Sequence, residues 1–163
     1  MTAFDKFASA PSAPLGGRFL VVDDDAVARF IFSHWAAHWD LEGFYAADAR
    51  VALGNPWHMR VNLAVIDYHL PDLNGLALIE ELRNAARAAG HAPPRFALHS
   101  TDLDMREPAR LAGVDFFLPK PLRTSDLYFA LQCAGCRPEA SPREAGDLSR
   151  FERQRIALTA AAS

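Results

Sequence analysis

The residues with the clearest capacity for chemistry are acidic, hydroxyl and ammonium side chains at the ends of apolar runs. Asp23 and Asp24 follow the run FLVV directly, and Asp67 ends the run VNLAVID. Ser100 follows the run RFALH, and Lys120 lies just after VDFFL. If these runs are parallel strands, their carboxyl ends meet at one edge of a sheet, where α/β proteins bind ligands. The pattern predicts that the five side chains converge on one site.

Three carboxylates brought together without a cation would repel each other, unless some of them were protonated. Oxygen ligands favour hard cations, so Mg²⁺ or Mn²⁺ is expected rather than zinc. A lysine ammonium and a serine hydroxyl opposite the cation would contact a transferring phosphoryl group, whose charge spreads over its oxygens. The set therefore predicts phosphoryl transfer with Asp67 as the nucleophile.

The elements that must position these residues alternate between strand and helix. Buried parallel strands are continuous apolar runs, and five such runs are predicted at 19–22, 44–46, 61–67, 95–99 and 114–118. Apolar residues at helical spacing predict helices from Ala26 to near Gly43, over 48–53, from Leu76 to Gly90, over 104–112 and from Thr124 to about Cys133. Together they predict an α/β fold with a doubly wound five-stranded parallel sheet.

Three details of the helices are predicted from residue types. Five apolar residues of the first helix are expected on its buried side: Val27, Phe30, Ile31, Trp35 and Trp39. The fourth helix should be short, with Pro108 in its first turn. Thr124 is expected to cap the last helix.

The length of 163 residues is appropriate for one domain. We predict a flexible leader over 1–17, a globular domain over 18–135, and a linker with a C-terminal helix over 136–163. The net charge of −3 gives no broad attraction to nucleic acid or an anionic membrane, which argues against direct DNA binding. No secretory signal or membrane-spanning run is present, so a cytoplasmic location is expected.

Four segments resemble the signatures of one family. They are VVDDD at 21–25, VIDYHLPDLNG at 65–75, LHST at 98–101 and FLPKP at 117–121, in the order and close to the spacing of the bacterial response-regulator receiver domain. The resemblance covers residues 18–132, and the chemotaxis Y protein is one member of this family. It implies a flavodoxin-like (βα)5 receiver fold and a phosphoryl-accepting switch in a two-component phosphorelay.

The resemblance also implies the roles of the acidic residues. Asp67 corresponds to the phosphoacceptor, Asp24 to a direct Mg²⁺ ligand and Asp23 to a ligand through water. The backbone carbonyl of His69 corresponds to a further ligand.

On the other side of the site, the resemblance implies that Ser100 hydrogen-bonds the phosphoryl group and that Lys120 forms an ion pair with it. Pro121 corresponds to a proline that follows a cis peptide bond, a form essentially limited to X-Pro links. Phe117 corresponds to an aromatic switch that turns inward when Ser100 moves toward the phosphoryl group. This change remodels the face formed by the fourth helix, fifth strand and fifth helix.

The implied partners are a histidine kinase or a histidine phosphotransfer protein as donor, and a downstream protein target. Neither DNA nor a membrane is expected as a direct partner, and the oligomeric state is left open between monomer and homodimer. Thr101 stands where the family usually has a smaller residue, which is expected to restrict access to the phosphoryl group or alter its lifetime.

Several of these residues have simpler interpretations. The aspartates at 23–25 could cap a helix, and Lys120 could be an ordinary solvated lysine. His34 and His38 are four apart and could share a metal, but ordinary histidines are more common at such positions. The lone C-x-x-C at 133–136 has no second pair to complete a zinc site, and is interpreted as two unrelated thiols.

Two other function classes remain as alternatives. The domain could be a docking scaffold whose partners ignore phosphorylation. It could also be a phosphohydrolase that uses Asp67 as a transient nucleophile. Dehalogenase-like phosphatases carry a second aspartate two residues later, and here that position is His69.

Overall fold

The computed structural model describes residues 16–138. Its strands are β1 (Arg18–Val22), β2 (Glu42–Ala46), β3 (Leu63–Asp67), β4 (Arg95–Ser100) and β5 (Phe116–Pro119). Its α-helices are α1 (Ala26–His38), α2 (Ala49–Leu53), α3 (Gly75–Ala88), α4 (Arg106–Leu111) and α5 (Thr124–Cys133). The predicted alternation of strands and helices is confirmed. The predicted leader and C-terminal helix lie almost entirely outside the described residues.

The strands form one parallel sheet in the order β2-β1-β3-β4-β5. The chain runs outward from β1 to β2 and then returns to β3 on the other side of β1. The order therefore reverses between β1 and β3, and a crevice forms outside their carboxyl ends. This topology confirms the doubly wound five-stranded sheet and determines where a ligand can enter.

Two apolar layers hold the helices on the sheet. Helices α1 and α5 cover one face, where the stacked rings of Trp35 and Trp39 lie 4.7 Å apart. Helices α2, α3 and α4 cover the other face, where Leu78, Ile79 and Leu82 of α3 are buried. Because both faces are covered, the central strands are apolar on both sides.

The first helix differs from its predicted form. Val27 and Phe30 are 45% and 66% exposed, whereas Phe32 is 1% exposed. The apolar residues of this segment fit two helical phases, and packing on the sheet selects the phase that buries Phe32. The helix also ends earlier than predicted, because Asp40 adopts a φ of 51° and β2 begins at Glu42.

Two other helices begin at residues that differ from those predicted. Thr124 is the first residue of α5 rather than its cap, since Arg123 occupies the cap position and makes no side-chain cap bond. Helix α4 begins at Arg106, after a 3-10 turn over Leu103–Met105, and Pro108 lies in its first turn as predicted.

The ends of the described domain meet at the amino edge of the sheet. The Arg137 N–H donates to the Gly16 carbonyl at 2.6 Å, and the buried Cys136 thiol lies 3.9 Å from the Arg18 carbonyl. Cys133 and Cys136 are both free thiols. Among residues 16–138, no helix has the length and apolar character to cross a membrane.

The packing of α3 gives a direct test of this architecture. Leu82 is 0% exposed between α3 and the sheet, so Leu82→Ala should lower the free energy of unfolding by about 3 kcal/mol. Leu111→Ala is the matched control, because Leu111 is 72% exposed and its loss should change stability by less than about 0.5 kcal/mol. Urea denaturation measures both, and equal losses would contradict the assigned layers.

Candidate functional site

The acidic residues lie together at the crevice where the strand order reverses. Asp23 and Asp24 follow β1, and Asp67 is the last residue of β3. One carboxylate oxygen from each of the three lies within 4.8 Å of the others. Asp23 and Asp67 are buried, at 1% and 4% exposure, whereas Asp24 is exposed. The predicted convergence of these side chains is therefore observed.

Local hydrogen bonds explain how the chain holds these carboxylates. The Asp25 carboxylate accepts the Val27 N–H at 2.9 Å and caps α1, while the Asp25 N–H donates to Asp23 Oδ1 at 2.9 Å. The simpler interpretation of the aspartate run thus applies to Asp25 alone. Gly75 at the start of α3 packs on the Asp67 backbone, where a Cβ would approach the Asp67 carbonyl oxygen to 2.4 Å. A side chain at that position would displace the loop after Asp67.

The Lys120 ammonium bridges the two buried carboxylates. Its Nζ lies 3.1 Å from Asp67 Oδ1 and 3.2 Å from Asp23 Oδ2, and its side chain is 24% exposed. Lys120 is therefore not an ordinary solvated lysine. Its N–H donates to the Ser100 carbonyl at 2.8 Å, and its bond to Pro121 is cis.

Burial and charge alter the protonation of these groups. Burial raises the pKa of Asp67, the nearby Asp23 charge raises it further, and Lys120 offsets part of the rise. Burial also acts to raise the pKa of Asp23, but His99, Lys120 and the Asp25 N–H together lower it below its usual value. Burial acts to lower the pKa of Lys120, but Asp23 and Asp67 outweigh this effect and raise it. Asp23 is thus the more firmly ionised of the two buried carboxylates.

The donor set fits a hard divalent cation. Three carboxylates supply oxygen ligands of the kind that Mg²⁺ and Mn²⁺ prefer. His69 lies in the loop directly after Asp67, where it forms an isolated bridge with Asn74. The exposed His34 and His38 pack edge-on against Trp35 instead, apart from the acidic group.

Ser100 ends β4, and Phe117 lies in the neighbouring strand β5. Ser100 is fully buried at the end of β4, and its Oγ accepts the Asp102 N–H at 3.0 Å. Thr101 is exposed. Phe117 is half-buried, packs against the α2, α3 and α4 layer, and carries the Arg106 guanidinium 5.3 Å from its ring centroid.

A groove of about 530 Å³ opens beside these residues. It is lined by the β4–α4 turn and the β5–α5 loop, including Thr101, Arg106, Phe117, Lys120 and Arg123. Phe117 and Lys120 therefore border the same groove.

Sequence reasoning missed two contributors to this region. His99 is 4% exposed, and its Nδ1 lies 3.7 Å from Asp23 Oδ2. No local signal marked it, because its position beside Asp67 follows from the register of β3 and β4, which only the structure gives. Arg106 was also missed, since nothing in the local sequence links it to Phe117.

Comparisons with known proteins agree with this geometry. The sequence pattern described as the response regulator receiver domain matches residues 19–132. The Regulator of RpoS of Escherichia coli (strain K12) is 30% identical over 111 residues, which are 67% of this chain and 32% of that protein. The chain therefore spans about a third of that relative's length.

Solved structures show the same fold. The Vibrio cholerae chemotaxis protein CheY4 matches with a TM-score of 0.62 and 22% identity, over 72% of this chain and 98% of that one. A chain of the Saccharomyces cerevisiae co-crystal structure of the phosphotransfer protein Ypd1 and the Ssk1 receiver domain matches with a TM-score of 0.66 and 17% identity, over 80% and 99%. Given its sequence match, its parallel sheet and its clustered carboxylates, the chain belongs to the response regulator receiver domain family.

Proposed function

We propose that Asp67 accepts a phosphoryl group from a phosphohistidine of a histidine kinase or a histidine phosphotransfer protein. The cation, Mg²⁺ or Mn²⁺, would be held by Asp23, Asp24, Asp67 and the backbone carbonyl of His69. When bound, it would neutralise negative charge on the carboxylates and on the transferring phosphoryl oxygens. A phosphotransfer partner is supported by the structural likeness to the Ypd1–Ssk1 co-crystal structure.

The observation that carries this proposal is the Lys120 ammonium, 3.1 Å from Asp67 and 3.2 Å from Asp23. In the proposed reaction an ionised Asp67 oxygen attacks phosphorus, a P–O bond forms, and the P–N bond to the donor imidazole breaks. Lys120 then moves from the carboxylates to the phosphoryl oxygens, where its charge opposes the growing negative charge. A docking scaffold that ignores phosphorylation would have no use for two buried carboxylates that meet at a lysine.

The output would be a change in the surface around the groove. The Ser100 hydroxyl would turn from the Asp102 N–H toward the phosphoryl group, and Phe117 would move into the space that this leaves. Because Arg106 of α4 lies over the Phe117 ring, motion of that ring would also shift an exposed positive charge. This surface would have two states in equilibrium, and a downstream protein target would bind one of them more tightly than the other.

Phosphorylation of Asp67 can be tested with a small phosphodonor and Mg²⁺. The parent should gain one phosphoryl group that is unstable in both acid and base, and Asp67→Asn should gain none, because its amide is not a nucleophile. Intact-mass spectrometry measures the gain. Asp40→Asn is the matched control, since Asp40 is exposed and its φ of 51° suits asparagine.

Equal phosphorylation of the parent and Asp67→Asn would contradict the assignment of the phosphoacceptor. Rapid, continuous release of inorganic phosphate by the parent would instead favour the hydrolase.

The role of Lys120 predicts a separation of transfer from metal binding. Lys120→Gln should slow phosphorylation about 100-fold, because the charge that stabilises the transition state is lost. The variant should still bind Mn²⁺, since all three carboxylates remain. Arg123→Gln removes a nearby cation of the same groove and should leave the rate within about 3-fold of the parent, as expected for a charge that is solvent-exposed.

The raised pKa of Asp67 predicts how pH and metal affect stability. The pKa of Asp67 is higher in the folded state than in the unfolded state. Its contribution to folding stability is therefore fully present below the unfolded-state pKa, and it is lost as pH rises through the folded-state pKa. In chelator-containing buffer at neutral pH, Asp67→Asn should therefore be more stable than the parent.

Mg²⁺ should stabilise the parent more than it stabilises Asp67→Asn. At an Mg²⁺ concentration about 100 times its Kd, the parent should gain about 2.7 kcal/mol, and Asp67→Asn should gain less. Thermal unfolding with and without Mg²⁺ measures the effect, and a metal-free Asp67→Asn that is less stable than the parent would contradict it.

A further inference from the structure

His99 is a buried imidazole, 4% exposed. It lies on β4 directly opposite Asp67 of β3, on the sheet face that α1 and α5 cover. Its ring packs edge-on against Phe32, with the centroids 5.6 Å apart. Neither ring nitrogen has a hydrogen-bond partner within residues 16–138. A buried polar group without a partner is uncommon in proteins and needs an explanation.

The explanation lies in where the ring points. Nδ1 of His99 is 3.7 Å from Asp23 Oδ2, the same oxygen that the Lys120 ammonium contacts at 3.2 Å. The other oxygen, Asp23 Oδ1, accepts the Asp25 N–H. His99 therefore stands just outside hydrogen-bond distance of a carboxylate oxygen whose present donor is Lys120.

Under the proposed function, Lys120 cannot remain hydrogen-bonded to Asp23 throughout the reaction. Its ammonium must turn to the phosphoryl oxygens, and Asp23 Oδ2 then loses its donor while it remains buried. A buried carboxylate oxygen without a donor is unfavourable, so the Asp23 carboxylate would rotate, and rotation weakens a metal ligand. A second donor beside Oδ2 would prevent this.

We propose that His99 is a positioning residue that donates its Nδ1–H to Asp23 Oδ2 and holds this carboxylate toward the cation when Lys120 is engaged elsewhere. This inference rests on the proposed function for the movement of Lys120. Hydrogen-bonded partners in the outer shell of metal sites orient the ligands, and their loss costs about 10- to 100-fold in metal affinity or activity. A leucine at residue 99 would occupy a similar volume but would donate nothing.

Mn²⁺ binding to the unphosphorylated protein can test this inference, with the free ion measured by electron paramagnetic resonance. In the parent, His99→Leu should weaken binding only about 2- to 3-fold, because Lys120 still supports Asp23. In a Lys120→Gln background, where that support is removed, His99→Leu should weaken binding about 10-fold. His99→Asn retains a donor near the Nδ1 position and should restore most of the affinity.

His58→Leu is the matched control. His58 is also buried, at 3% exposure, and neither of its ring nitrogens has a partner in the described part of the chain, but it lies in the 3-10 turn Pro56–Met59, away from the acidic group. His58→Leu should leave Mn²⁺ affinity unchanged in both backgrounds. The inference is overturned if His99→Leu weakens binding no more than His58→Leu does when Lys120 is absent.

A measurement on the parent protein keeps the test decisive if a variant fails to fold. Long-range ¹H–¹⁵N correlation spectra should show the His99 proton on Nδ1, and Mg²⁺ should shift that resonance. A proton on Nε2 alone, or a parent that binds no Mn²⁺, would overturn the inference. Failure to phosphorylate Asp67, with these affinities intact, would overturn only the function proposed above.

Discussion

The burial of two like charges on adjacent strands is the constraint on which this site depends. Asp23 and Asp67 are almost inaccessible to water, and each would oppose the ionisation of the other without a cation. The Lys120 ammonium, in the loop after β5, supplies such a cation. A bound cation could therefore replace the ammonium at these carboxylates, and a phosphoryl group could become a new partner of Lys120.

The rest of the fold maintains this arrangement. The reversal of strand order brings the ends of β1 and β3 side by side, so the two carboxylates come from neighbouring strands. Gly75 allows α3 to start directly against the Asp67 backbone. The Lys120 N–H bond to the Ser100 carbonyl joins the ends of β4 and β5, so the lysine and the hydroxyl move as parts of one sheet edge.

Much of this could be predicted from the sequence, for identifiable reasons. The strands were predictable because central parallel strands are apolar on both faces, and Asp67 and Lys120 stood out as charges at their ends. The orientation of α1 was not predictable, because its apolar residues fit two helical phases and only packing on the sheet exposes Phe30 and buries Phe32. His99 was missed because an uncharged imidazole inside the run RFALH resembles any other strand residue until its neighbours across the sheet are known.

The bond between Arg137 and Gly16 has a further consequence for how such a domain can be combined with others. The two ends of the described domain lie side by side, at the end of the sheet opposite the carboxylates. A flanking module fused at either end would join the domain at this same place, away from the acidic crevice.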